Sequence, residues 1–163
     1  MNKSILYVLL STFLVSQFVS GCAPAANNVE DENWVIFSAD YAKENRFGPG
    51  FTPDSTTLEY WTPPEADVRA LEDGLPSFLQ SNSDQFFVTQ SPPWERLSEY
   101  KRQYMGLVLD GKQVIYANYF CHTFNEEWKK EFVLVLDGGA CYFQFKYNPR
   151  SGEYFDLQVN GEA

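Results

Sequence analysis

The side chains that could do chemistry in this 163-residue chain are few and widely spaced. Cysteines stand at 22, 121 and 141, and the one histidine is His122. An imidazole can act as a general base or a metal ligand. His122 has no second histidine near it, and the cysteines show no Cys-x-x-Cys spacing, so a loop histidine is expected rather than a redox or zinc centre. Asp110 and Asp137 could be paired carboxylates. Each, however, closes the same word, Leu-Val-Leu-Asp-Gly, at 107–111 and 134–138. Asp-Gly suits a tight hairpin turn, whose central residues need positive φ. Glu126-Glu127 with Trp128-Lys129-Lys130-Glu131 reads as a solvated charged loop, with too few oxygen ligands at loop spacing for calcium. The chain has no Gly-x-Ser-x-Gly elbow and no phosphate-binding glycine loop. No catalytic residue, metal site or cofactor is assigned, and the reading leans away from an enzyme.

Cys22 is different because of what precedes it. Met1-Asn2-Lys3-Ser4 opens with one positive charge, and an apolar run follows from Ile5 to about Val19. That run falls short of the roughly 20 apolar residues of a membrane span and reads as a cleavable leader. Val19-Ser20-Gly21-Cys22 resembles the lipobox of bacterial lipoproteins: an aliphatic residue, two small residues, then a cysteine. The resemblance implies cleavage before Cys22, lipid on its thiol, and attachment to a cell-envelope membrane. Ala23 follows the cysteine. The absence of an aspartate there implies an outer-membrane protein facing the periplasm, if the host is Gram-negative. One acyl chain holds only marginally, at about 0.8 kcal/mol per buried methylene, so the two or three chains usual in such proteins imply a stable anchor.

Removing the leader takes Lys3 and no acid, so the formal net charge moves from −10 to −11. An acidic surface repels nucleic acid and anionic headgroups, and first of all keeps a protein soluble. Assigning Cys22 to lipid leaves Cys121 and Cys141. In an oxidising compartment a disulfide is expected, closing a loop of about 20 residues and contributing roughly 3 kcal/mol. Two buried free thiols are the alternative.

The elements that position these residues fall in two groups. Residues 22–32 are small, polar and acidic and read as a flexible tether, so the organisation is leader 1–21, tether 22–32 and one domain over 33–163. Trp34–Phe37 is an apolar run, and 39–58 should be irregular. Thr62 should cap a helix with Pro63 at its first position and Glu65 completing a capping box. Val68, Leu71, Leu75, Phe78 and Leu79 share its apolar face, and Gly74 with Pro76 should end or kink it near residue 75. Residues 81–96 read as a loop. From Tyr100 the pattern becomes strands: two hairpins at the two Asp-Gly words, a turn at Asn148–Gly152, and a last strand from Tyr154 to Asn160.

Alternation places Phe155, Leu157 and Val159 on one face. It groups Phe132, Leu134, Leu136, Cys141, Phe143 and Phe145 on the core side. With the disulfide formed, Ile115, Ala117 and Tyr119 also face the core. Met105, Leu107, Val114, Tyr116 and Phe120 then form a second face too apolar to be left bare. The Trp34–Phe37 segment or the loop bearing Trp128 should cover it, with a partner protein as the alternative. The expected fold is α+β, one helix on a curved antiparallel sheet of about five strands. Its element order is similar to that of cystatin-like and nuclear-transport-factor-2-like folds. The stretch from Cys141 to Ala163 resembles the endings of small bacterial exported proteins of uncharacterised activity, and implies a domain type only.

Aromatics are abundant, and Tyr116, Tyr119, Trp128, Tyr142 and Tyr154 are the candidate binding residues. Three roles are expected of such a chain: a non-enzymatic module binding an envelope protein through its sheet, an inhibitor or immunity-type lipoprotein against a cationic exported enzyme, or a small domain with a ligand or enzymatic pocket between helix and sheet. The expected partners are the membrane, through Cys22, and an envelope protein, not nucleic acid.

Overall fold

Two helices and seven strands follow one another in the computed structural model, which describes residues 29–30, 32–45, 59–87, 91–123 and 126–161. They are β1 (Val29–Glu30), β2 (Trp34–Ile36), α1 (Ala39–Asn45), β3 (Glu59–Trp61), α2 (Glu65–Ser81), β4 (Lys101–Leu109), β5 (Lys112–Phe120), β6 (Tyr142–Asn148) and β7 (Glu153–Val159). The strands form one open sheet in the order β1-β2-β4-β5-β6-β7, with β3 also on β4. Among the described strands, β2 and β4 alone run parallel. The architecture is α+β, with α2 packed on one face of the sheet. Among the described residues, no helix is long and apolar enough to cross a membrane. The leader and Cys22 lie outside the described residues, as does most of the 22–32 tether. Val29 and Glu30 belong to the sheet rather than to a tether, paired with Ile36 and Val35.

Two helix starts differ from expectation. Pro64, not Thr62, precedes α2, and no side chain caps that helix. The Thr62 hydroxyl accepts instead from the Ala39 amide, 2.9 Å away, at the start of α1. Ser38 caps α1 as well, its hydroxyl accepting from the Tyr41 amide at 3.2 Å. Residues 39–45, expected to be irregular, are therefore helical. Between 81 and 96, Ser83–Gln85 and Pro93–Glu95 wind into single 3-10 turns.

The helix α2 also runs through Pro76 to Ser81. Proline in a helix interior costs about 3 kcal/mol, because the carbonyl four residues back loses its donor. Leu75 and Leu79, on either side of Pro76, are fully buried. Each such burial contributes about 1.5–3 kcal/mol, enough to carry the helix across the proline.

The first Asp-Gly word makes the expected hairpin. Asp110 and Gly111 take φ of 50° and 71°, and β4 pairs with β5 from Leu109–Lys112 to Lys101–Phe120. The second does not. Residues 132–137 are not a strand, and Gly138 and Gly139, with φ of 89° and 56°, lead into a 3-10 turn at Gly139–Cys141. Leu134 and Leu136, expected inside, are 52% and 82% exposed.

The sheet buries both faces. Against α2 lie Trp34, Ile36, Tyr104, Ile115, Ala117, Tyr119, Phe143, Phe145 and Tyr147. The outer face carries Val35, Phe37, Met105, Leu107, Val114, Phe120, Trp128 and Tyr142, so the segment around Trp34–Phe37 and the Trp128 loop both help cover it. In β7 the expected single face splits. Phe155 packs on the outer cluster, whereas Leu157 and Val159 pack on the α2 side. Asp156 has φ 52° and the register slips there, Gln144 facing Gln158 while Lys146 faces Phe155. The extra residue of this bulge reverses the alternation and bends the strand.

Candidate functional site

Cys121 follows β5 and Cys141 precedes β6, and their sulfurs are bonded, with α-carbons 5.1 Å apart. Cys121 packs against the α2-side core. Cys141, expected on that same side, packs against the outer cluster. The bond therefore closes the base of the 122–140 excursion at the end of the sheet. His122 is exposed beside it, and its ligating nitrogen and both sulfurs lie within 4.8 Å of one another.

Residues 131–137 cross the outer face as a strap. A row of side-chain amides in register on neighbouring strands runs beneath it: Gln103 on β4, Asn118 on β5 and Gln144 on β6. Gln103 donates to the Trp128 carbonyl and, at 2.8 Å, to that of Glu131, and accepts from the Val133 amide at 2.9 Å. Asn118 donates to the Val133 carbonyl at 2.8 Å and accepts from Gln144 at 3.2 Å. Asn160 holds the far end, donating to the carbonyls of Val135 and Asp137 at 2.7 and 2.9 Å. Side chains thus supply the partners that a neighbouring strand would have given this backbone. Val133 and Val135 turn inward, and Leu134 and Leu136 outward.

A second cluster lies between α2 and the sheet. Tyr104 and Tyr119 both donate to one oxygen of the Glu72 carboxylate, and their own hydroxyls are 2.9 Å apart. Arg102, paired with Tyr119 across β4 and β5, brings Nε to 3.7 Å of the other Glu72 oxygen. Its guanidinium also donates to the Leu97 carbonyl at 2.6 Å. Burial raises both tyrosine pKa values well above 10.0, and the Glu72 charge raises them further. These phenols are proton donors, not phenolates, at any physiological pH. Both tyrosines are fully buried, whereas the Glu72 side chain is 25% and that of Arg102 12% exposed. The cluster staples helix to sheet, with a charge-assisted acceptor at its rim.

The five candidate aromatics do not assemble into one surface. Tyr119 is in the helix-side core, and Trp128 and Tyr142 are buried in the outer cluster. Tyr116, half-buried on the outer side, has its pKa pushed up to about 12 by burial. Tyr154 packs against α2, its phenol stacked on Phe78 at 4.8 Å. Asp110 sits in its turn, and a groove of about 510 Å³ opens beside it between the two hairpin tips, lined by Lys112, Gln113, Asn148, Arg150 and Glu153. The Glu72 cluster escaped sequence reasoning because its members lie far apart in the chain. The one signal was a glutamate within an otherwise apolar helix face, at the spacing of Val68, Leu75 and Leu79. Comparison with protein-family models, curated proteins and solved structures finds no match.

Proposed function

We propose that the chain is an exported lipoprotein, cut before Cys22 and tethered through it to a cell-envelope membrane, that acts as a non-enzymatic module binding an envelope protein. The observation that carries this reading is the strap: its backbone is satisfied from beneath, its base is closed by a disulfide, and it presents Leu134 and Leu136 outward. Among the described residues, Val35, Phe37 and Trp128 pack over much of the rest of the outer face, so the strap's two leucines are the apolar side chains that this face leaves most exposed. Leucine pairs held on a rigid support lose little entropy on binding. The test is capture from envelope extract by the full chain, compared with Leu134→Ser/Leu136→Ser. A protein enriched by the first and lost with the second is the expected result. Capture unaffected by the double substitution, or no capture, overturns it.

An inhibitor of a cationic exported enzyme is the second reading. It is favoured by exposed Glu131 and Asp137 at the two ends of the strap and by the net charge of −11 that remains once the leader with Lys3 is removed. Capture that fails as salt rises from about 0.05 to 0.5 M would favour it, and salt-insensitive capture would remove it. The anchor has its own test. Cys22→Ser should abolish incorporation of labelled palmitate, and unchanged labelling overturns the lipid assignment.

A further inference from the structure

We propose that Cys121, His122 and Cys141 form a site for a soft cation of the Cu(I) or Zn(II) class once their disulfide is reduced. Two thiolates and an imidazole are the donors such ions prefer, and solvent can fill a fourth position. The three ligand atoms already lie within 4.8 Å of one another. With metal–sulfur bonds of about 2.3 Å at tetrahedral angles, the sulfurs need only part to roughly 3.7 Å. Side-chain rotation covers that distance.

The backbone of the site does not depend on the sulfur–sulfur bond. Phe120 and Tyr142 are partners in the sheet, and the Cys121 amide donates to the Cys141 carbonyl at 3.0 Å. The Tyr142 hydroxyl donates to the His122 carbonyl at 3.4 Å, fixing the residue that carries the imidazole. Reduction therefore leaves the cysteines side by side. His122 is exposed, so an ion can reach the site without the core opening. The reductant is a dithiol. It delivers two electrons and two protons to the disulfide and is left as its own disulfide. Each cysteine thiol then gives its proton to solvent as the cation binds.

The test uses the full chain, oxidised or reduced with excess dithiol that is then removed under anaerobic conditions, titrated separately with Zn(II) and with Cu(I) against a chromophoric chelator. The reduced chain should take up one equivalent of either ion and the oxidised chain none. His122→Ala should weaken binding at least tenfold and Cys141→Ser should abolish it. The reduced, metal-free chain should keep its circular dichroism, and its loss on reduction overturns the claim that the backbone holds the two cysteines side by side. No uptake after reduction, or equal affinity in His122→Ala, overturns it and leaves a structural disulfide beside a histidine.

Discussion

The hydroxyl of Tyr154 stands 2.5 Å from where a β-carbon would be on Gly74. The same hydroxyl donates to the Leu71 carbonyl at 2.5 Å, so β7 grips α2 where proline has weakened it. Gly74→Ala should therefore destabilise the protein by about 1–2 kcal/mol, although alanine favours a helix by about 1 kcal/mol. Tyr154→Phe, which removes the nearest atom, should make the double variant lose less than the sum of the two single losses in denaturant melts. Strict additivity would mean that the two residues do not press on one another.

Alkaline pH should unfold the protein through Tyr104 and Tyr119. Their pKa values are raised above 10.0, so the native state keeps protons that the unfolded chain gives up. The stability they contribute is complete below pH 10 and is lost as pH rises through the window above it, at roughly 1.4 kcal/mol per pH unit for each tyrosine. Urea midpoints between pH 9 and 11.5 should fall steeply, and Tyr104→Phe or Tyr119→Phe should flatten the fall. A slope identical in the variants contradicts this account.

The amide row makes the strap's stability depend on Gln103. Gln103→Leu leaves the Val133 amide and two carbonyls without partners, and should cost about 1–3 kcal/mol. Gln113→Ala, on an exposed position of the same hairpin, should cost less than about 0.5 kcal/mol. Amide exchange should quicken over residues 128–137 in the first variant and stay unchanged in the second.

Intact mass should rise by about two hydrogens on reduction, from the single bond joining Cys121 and Cys141. Cys121→Ala/Cys141→Ala should lower stability by about 3 kcal/mol. Exchange should rise across 122–140 before it rises in β5 or β6. Uniform acceleration would mean that the excursion does not open on its own.

Elements whose cause is local were legible in the sequence. Asp110-Gly111 is followed at once by a strand able to pair back, so the turn chemistry suffices. Asp137-Gly138 carries the same chemistry, but Gly139 continues with positive φ, and Gln103, Asn118 and Asn160 occupy the strap's backbone. Those amides are distant in sequence, and nothing in the word Leu-Val-Leu-Asp-Gly reveals them. Alternation correctly separated Ile115, Ala117 and Tyr119 from Val114, Tyr116 and Phe120, because β5 is regular throughout. It failed at Phe155, since an aspartate with positive φ has no periodic signature. Side-chain chemistry alone marks the candidate aromatics in the sequence, whereas burial is decided by partners such as Glu72, which bonds Tyr119 across 47 residues.

The parallel alignment of β2 with β4 sets the order in which the molecule can be assembled. Trp34 pairs with Arg102, and no tight turn can bring them together. The hairpins β4–β5 and β6–β7 and the helix α2 nucleate from neighbours, whereas this pair must close the 68 positions that separate Trp34 from Arg102. Synthesis delivers Trp34–Phe37 early, yet Val35 and Phe37 find their outer-face partners only after β4 and the Trp128 loop exist. A strand made before its partners thus waits for them, with Val35 and Phe37 unburied in the interval.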